Sequence, residues 1–367
     1  YAFMDYFYEH YGGDQALRAL MSSNAQVPQV FDDALAKLGS HDHFSDVFAK
    51  FLAANLINDA AVAHGAYAYR AFAGERAHLT ATANTYPYTT LGSLAQYGAG
   101  YYDFRLPSGA SATPQTLTVN FSGAPMTTIL PNKPHGASRT EWWSNSGDNM
   151  ESTLTHTVDL TKAPSGPVKL TFYAWYELEP GFDYTYVEAS TDGGATWESL
   201  PVTTGTSANP NGENLGNGMS GMSGGGDQPV WVPESVDLSK YAGEQIQLRF
   251  ETVTDDAVHY AGFALDSVAI PAIKYNSDTA GNDDWTANGW VNTNNTLPQQ
   301  WSVQAVVYHA SGKAPSIQQL SVDPTTGQVS ASFNDLGGSV SHVTLIVAPM
   351  AAETYTAASY SISAMLN

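Results

Sequence analysis

The sequence predicts a mainly β protein with an N-terminal α-helical segment, followed by two β-sandwiches of which one is inserted into the other. Three features predict this. Apolar residues at helical spacing are confined to the first stretch, about residues 1–83. From Asn84 the texture turns to Thr, Tyr, Gly and Pro with alternating hydrophobics, the pattern of half-buried strands. The early strands around Leu117 also have too few neighbours to close a sheet, so strands near the end of the chain must complete it. The expected organisation is therefore a helical segment at 1–83, a discontinuous sandwich at 84–134 plus 285–367, and an inserted sandwich at 135–284. Chain ends that lie close together permit such an insertion.

The helices come first. Tyr1 to His10 is aromatic on several faces and stops at Gly12-Gly13, after which Asp14 caps a helix carrying Leu17, Leu20 and Met21. Pro28 opens another, with Val30, Phe31, Leu35 and Leu38 before Gly39. Ser40 is the expected cap of the next, where Phe44, Val47, Phe48, Phe51, Leu52 and Leu56 form a broad apolar stripe. These short helices need a surface to pack on, which the sequence places upstream of Tyr1. The strand Leu117, Val119, Phe121 follows, and then a turn-rich linker from Pro125 to Pro134.

Within the inner region, Val158-Asp159-Leu160 ahead of Val168–Trp175 is echoed by Val236-Asp237-Leu238 ahead of Gln245–Val253. Ser190 to Trp197 reads as a tight hairpin in which glycines supply positive φ. The glycine-rich loop 209–228 is long enough to be functional or mobile. Late strands are expected at Trp301–Tyr308, Ile317–Val322, Val329–Phe333, Val343–Val347 and Tyr360–Ile362.

Composition excludes several functions. Acidic residues outnumber basic ones 35 to 14, giving a net charge of -21 that repels nucleic-acid backbones and anionic membrane surfaces. The absence of cysteine excludes thiol catalysis, disulfides and thiolate metal sites. No apolar run is long enough to insert into a membrane. An extracellular or cell-surface bacterial protein is expected, and the start at Tyr1 suggests a processed product.

The run Trp142 to Met150, followed by Phe172 to Tyr176, Asp183 to Val187, Ser190 to Trp197 and Gly262 to Val268, resembles the C-terminal module of immune inhibitor A-type secreted metallopeptidases. Tyr1 to Asn58 is similar to the segment after the zinc site in hyicolysin-like gluzincin peptidases. The resemblance implies a jelly-roll-like (MAM/concanavalin-like) inner sandwich within an Ig-like outer one, with residues 1–83 as a helical remnant of a catalytic lobe. The chain departs from those peptidases in lacking a His-Glu-x-x-His motif, so no zinc-activated water can be assembled within it. Zinc and peptidase activity would belong to the missing upstream part of the parent. No catalytic residue is assigned here. The expected role is a non-catalytic C-terminal region that supports the upstream lobe and binds a protein substrate or a surface. The alternative is an extracellular structural subunit that self-assembles, and a carbohydrate-binding module that takes surface glycans comes third.

Calcium, which suits hard oxygen ligands gathered on sandwich loops, is the expected ion. Asp148, Asp183 and Asp266 lie in the best-matching motifs, and Glu141 is the fourth candidate ligand. His41 and His43 stand two apart, which on a helix points them to different sides. The Asp192 hairpin matches a single Asp-box and is expected to cap its own turn. Trp142, Trp143, Tyr173, Trp175, Tyr176, Tyr184 and Tyr186 could offer a sugar-stacking platform, but strand alternation turns about half of them inward.

Overall fold

The computed structural model describes residues 2–23, 27–71, 76–109, 113–277, 284–352, 354 and 356–367. The expected helix start at Tyr1 and the expected boundary residue Asp283 lie outside them. The chain is mainly β with helices at its start, and it divides into two compact units, Tyr1–Ile129 with Leu297–Asn367, and Leu130–Thr296. No helix among the described residues is long and apolar enough to cross a membrane.

The outer unit opens with four α-helices, α1 (Ala2–Tyr11), α2 (Asp14–Leu20), α3 (Gln29–Lys37) and α4 (Phe44–Ile57). Ser40 does not cap α4. His43 takes that place, donating its backbone N–H to Asp46 Oδ2 at 2.9 Å, while Ser40 Oγ accepts from Asp42 N at 3.1 Å in a local turn. The helices find a packing surface within the chain: Tyr6, Phe7, Phe31, Phe44, Val47, Phe48 and Leu52 share a core with Tyr101, Val306, Ile346 and Ala348 of the following sheet. Two hydrogen bonds tie the layers, Gln304 Nε2 to Ala49 O at 2.8 Å and Tyr101 Oη to Leu52 O at 3.2 Å. Successive side chains alternate between faces, so Val303, Ala305, Leu345 and Val347 serve a second core on the opposite side.

Among the described residues that outer sheet has nine strands. Gln115–Gly123 lies between Ala358–Leu366 and Gln328–Leu336, both antiparallel to it, with Phe121 opposite both Ile362 and Val329. A Cβ on Gly123 would come within 2.4 Å of the Trp301 indole, which donates Nε1–H to Ala124 O at 2.9 Å. Only glycine leaves room there.

The inner unit is a two-sheet β-sandwich. Its strands are β1 (Glu141–Trp143), β2 (Glu151–Asp159), β3 (Lys169–Glu177), β4 (Tyr184–Ser190), β5 (Glu198–Ser199), β6 (Val232–Asp237), β7 (Gln245–Val253), β8 (Gly262–Ile270), β9 (Tyr275–Ser277), β10 (Thr286–Asn288) and β11 (Val291–Thr293). One sheet runs β5-β4-β7-β2-β10 and the other β6-β3-β8-β1-β11, with β9 beside β8. Leu154, Phe172, Val187, Leu248, Phe250, Phe263 and Leu265 fill the space between them. Phe172 and Phe250 meet edge to face at 5.1 Å. The sequence places this module at 135–284, whereas the compact unit is Leu130–Thr296, because β10 and β11 pair with β2 and β1.

The echoed motifs use the same device. Asp159 Oδ1 accepts from Thr161 N at 2.9 Å, Asp237 Oδ1 accepts from Ser239 N at 2.8 Å, and each following leucine is buried. The Asp192 carboxylate accepts from Thr196 N, Thr196 Oγ1 and Ser190 Oγ at 2.9, 2.6 and 2.8 Å, which holds its pKa down at about 2. Arg249 stacks on Trp197 at 4.1 Å and reaches across to Glu188 at 2.7 Å. The glycine-rich loop is bound down. Thr185 and Met219 exchange two backbone bonds at 2.9 Å, and Gly218 lies so close to Tyr184 that a Cβ would approach its ring to 2.5 Å.

Candidate metal centre

On the second sheet of the inner unit, alternation sends Trp142, Phe172 and Leu265 into the core and their neighbours Glu141, Tyr173 and Asp266 to the other face. Leu265 is opposite Trp142, and Asp266 is opposite Tyr173. Continuing that register by one position sets Glu141 alongside Asp266 on the same face.

The segment 130–140 closes over Asp266. Its first half is held by Asn295, whose Oδ1 accepts from Leu130 N at 2.8 Å and whose Nδ2 donates to Asn132 O at 2.9 Å, and by Trp231, whose Nε1 donates to Lys133 O at 2.8 Å. Its second half hangs on Asp266 itself: His135 N donates to Oδ2 at 2.8 Å and Ser138 Oγ donates to Oδ1 at 2.9 Å. The His135 ring stacks on Tyr173 with centroids 3.6 Å apart.

Glu141 and Asp266 are both 0% exposed. Asp266 is satisfied by these donors and by Ser267 Oγ at 3.1 Å, whereas both carboxylate oxygens of Glu141 are buried with no hydrogen-bond partner. Burial, and secondarily the charge of Asp266, push the Glu141 pKa up to about 8. Burial also raises Asp266, against the pull of its hydrogen bonds. An unpartnered buried carboxylate is costly, and a proton or a bound cation would relieve it. Two carboxylates with a serine hydroxyl nearby form an all-oxygen donor set, which suits a hard cation such as calcium better than zinc.

The four candidate ligands named from the sequence do not form one set. Asp183 lies elsewhere, 1% exposed, accepting from Asp255 N at 3.1 Å and with its pKa raised to about 6 by burial. Its carboxylate gathers with those of Glu179 and Asp255, with ligand atoms within 4.8 Å of one another. Asp148 is exposed and accepts from His259 Nδ1 at 2.6 Å, and His259 and Asp183 line one shallow depression. Glu179 and Asp255 escaped the sequence reading, although Glu179-Pro180-Gly181 and the pair Asp255-Asp256 mark tight, acidic turns.

His41 and His43 are exposed, and His43 sits 3.7 Å from Asp32. Of the aromatics proposed as a platform, Trp142, Trp143, Trp175, Tyr176, Tyr184 and Tyr186 are buried, and half-buried Tyr173 is covered by His135.

A two-sheet sandwich whose polar chemistry consists of carboxylates gathered under loops defines a β-sandwich module. The chain belongs to the immune inhibitor A-like, MAM domain family, whose family model matches residues 107–295. It is 28% identical to Immune inhibitor A of Bacillus thuringiensis subsp. alesti over 190 residues, covering 51% of this chain and 25% of that protein. It is 29% identical to Bacillopeptidase F of Bacillus subtilis (strain 168) over 150 residues, 41% of this chain and 9% of that one. It is 27% identical to the Pre-pro-metalloprotease PrtV of Vibrio cholerae over 129 residues, 35% of this chain and 13% of that one. The chain thus spans a quarter or less of these relatives.

Proposed function

We propose that this chain is the non-catalytic region of a secreted zinc metallopeptidase-like protein, acting outside the cell to support a catalytic lobe carried elsewhere in the parent and to engage its protein substrate or a surface. The observation that carries this is the family match over 107–295, together with the similarity to relatives named as a peptidase and a metalloprotease of which the matched part is only a small share. The sequence lacks His-Glu-x-x-His, and the metal-capable group of three found among the described residues is all carboxylate, which does not fit a catalytic zinc. Zinc therefore has no step here. The test compares the full-length parent with a form lacking residues 130–296. Retained cleavage of a short peptide with weakened attack on folded protein substrate supports the proposal. Chelator-sensitive hydrolysis by the isolated chain overturns it.

We further propose that Glu141 and Asp266 hold a structural calcium ion, with the orphaned Glu141 carboxylate as the supporting observation. Terbium luminescence, sensitised by the nearby tryptophans and displaced by calcium, is expected for the wild type and lost in Glu141→Gln. Equal signals from both would remove Glu141 from the site.

A further inference from the structure

We propose that the strand Tyr88–Leu94 of the outer unit is a docking edge for a second copy of this chain, the two strands pairing antiparallel about a two-fold axis at Leu91 so that their sheets join into one. Along this part of the sheet the hydrogen-bonded order runs Gln328–Leu336, Gln115–Gly123, Ala358–Leu366, Tyr88–Leu94, and there it ends. One side of Tyr88–Leu94 is paired along its whole length, from Tyr88 opposite Ala364 to Leu94 opposite Ala358. On its other side no described strand follows, and no backbone bond joins it to any other described segment. The N–H and C=O groups on that side form an open ladder. The inward positions Tyr88, Thr90, Gly92 and Leu94 are only half-buried, whereas Tyr360, Ile362 and Ala364 on the neighbouring strand are buried.

The edge fits an uncharged strand, and a second copy supplies one. From Leu79 to Tyr102 the chain has no charged residue, and neither Ala358–Leu366 nor Gln115–Gly123 has one, in a protein of net charge -21. That charge keeps copies apart, and its repulsion is weakest where none of it lies at the contact. Devices that stop an open edge from pairing are a lysine, an inward charge, a bulge or a proline within the strand. Tyr88–Leu94 has none of them: Pro87 stands before it, and its register with Ala358–Leu366 is unbroken. Leu91, at its centre, is 82% exposed. A two-fold axis there sets Leu91 against its own counterpart and Thr89 against Ser93 on the solvent face, with Tyr88 against Leu94 on the core face. A slip by one residue would turn Leu91 to the opposite face. Pairing about a two-fold uses up the edge of both copies, so the assembly closes at two.

A single edge of seven residues makes a small interface, so the association is expected to be weak and reversible. Analytical ultracentrifugation of the whole chain from about 1 µM to about 1 mM is expected to show monomer and dimer in equilibrium. Leu91→Lys sets like charges opposite each other at an exposed position, and is expected to weaken the dimer about tenfold while the urea midpoint stays near the wild-type value. The chain has no cysteine, so each Cys variant carries one thiol. Residues directly opposite in an antiparallel pair have Cα atoms about 4.5–5.5 Å apart, within disulfide reach. Under mild oxidation Leu91→Cys is expected to cross-link about tenfold faster than Ser93→Cys, whose two thiols would stand roughly 13 Å apart along the strands. An equimolar mixture of Thr89→Cys and Ser93→Cys is expected to link the two variants to each other. A monomer throughout the range, a dimer unmoved by Leu91→Lys, or equal cross-linking at 91 and 93 would overturn the proposal. Protection of every amide from 88 to 94 against hydrogen exchange at micromolar concentration in the full-length parent would put another segment of that parent on the edge, and would overturn it as well.

Discussion

Replacing Glu141 with glutamine keeps the shape and removes the charge. The side chain is fully buried, lacks a hydrogen-bond partner and has its pKa raised from 4.5 to about 8. At about 1.4 kcal/mol per unit, the ionised form costs cation-free protein an upper limit of about 4–5 kcal/mol, and about 2–4 kcal/mol once water entry relaxes the site. The sign follows from linkage. A carboxyl whose folded pKa is raised binds its proton more tightly in the native state, so its contribution is most favourable below the unfolded value of 4.5 and is lost as pH rises through about 8. Urea unfolding in EDTA, followed by tryptophan fluorescence, should therefore find Glu141→Gln more stable than wild type by about 2–4 kcal/mol near pH 8.5, with the curves converging near the unfolded carboxyl pKa. Calcium should restore the wild type at alkaline pH and leave the variant unmoved. A difference between the two proteins that does not change with pH in chelator, or a variant less stable at alkaline pH, would refute the reasoning.

Three other outcomes follow from the inner sandwich. Gly218→Ala would drive a methyl into the buried rings of Tyr184 and Tyr186, at 2.5 and 2.8 Å, and is expected to cost about 1–3 kcal/mol, seen as a lower urea midpoint with altered near-ultraviolet dichroism. Phe250→Ala, at a fully buried position between the sheets, should cost about 3–5 kcal/mol in the same assay. Burial, and next the charge of Glu188, raise the Glu251 pKa, so Glu251→Gln should gain stability relative to wild type as pH rises above the ordinary carboxylate range. An unchanged difference between acid and neutral pH would contradict that.

Much of the fold class was readable because alternation and helical spacing are local signals. Leu117, Val119 and Phe121 announce a strand by themselves, and Phe44, Val47, Phe48 and Leu52 announce a helix. What the helices pack on was not readable, since Tyr101, Val306, Ile346 and Ala348 look like any apolar strand positions. Their second buried face is a property of the assembled sheet. The α4 cap was missed because Ser40 is the commoner capping residue, while His43 works only through Asp46 and the close approach of Asp32 to Phe44 N. At the candidate metal centre, the motif Trp142-Trp143 drew attention to Glu141, and Phe263-Ala264-Leu265 to Asp266. Their adjacency depends on register between strands far apart in sequence, which also explains why Asp148 and Asp183 were grouped with them.

The central position of Gln115–Gly123 between Gln328–Leu336 and Ala358–Leu366 has a consequence for biosynthesis. That strand emerges from the ribosome on the order of 200 residues before its last neighbour, which at ~5–20 residues per second leaves it unpaired for roughly 10–50 s. Among the described residues, 130–296 contain every strand of their own two sheets and can condense during that wait. The nascent chain thus carries a finished middle while the Gln115–Gly123 strand still waits for both of its neighbours.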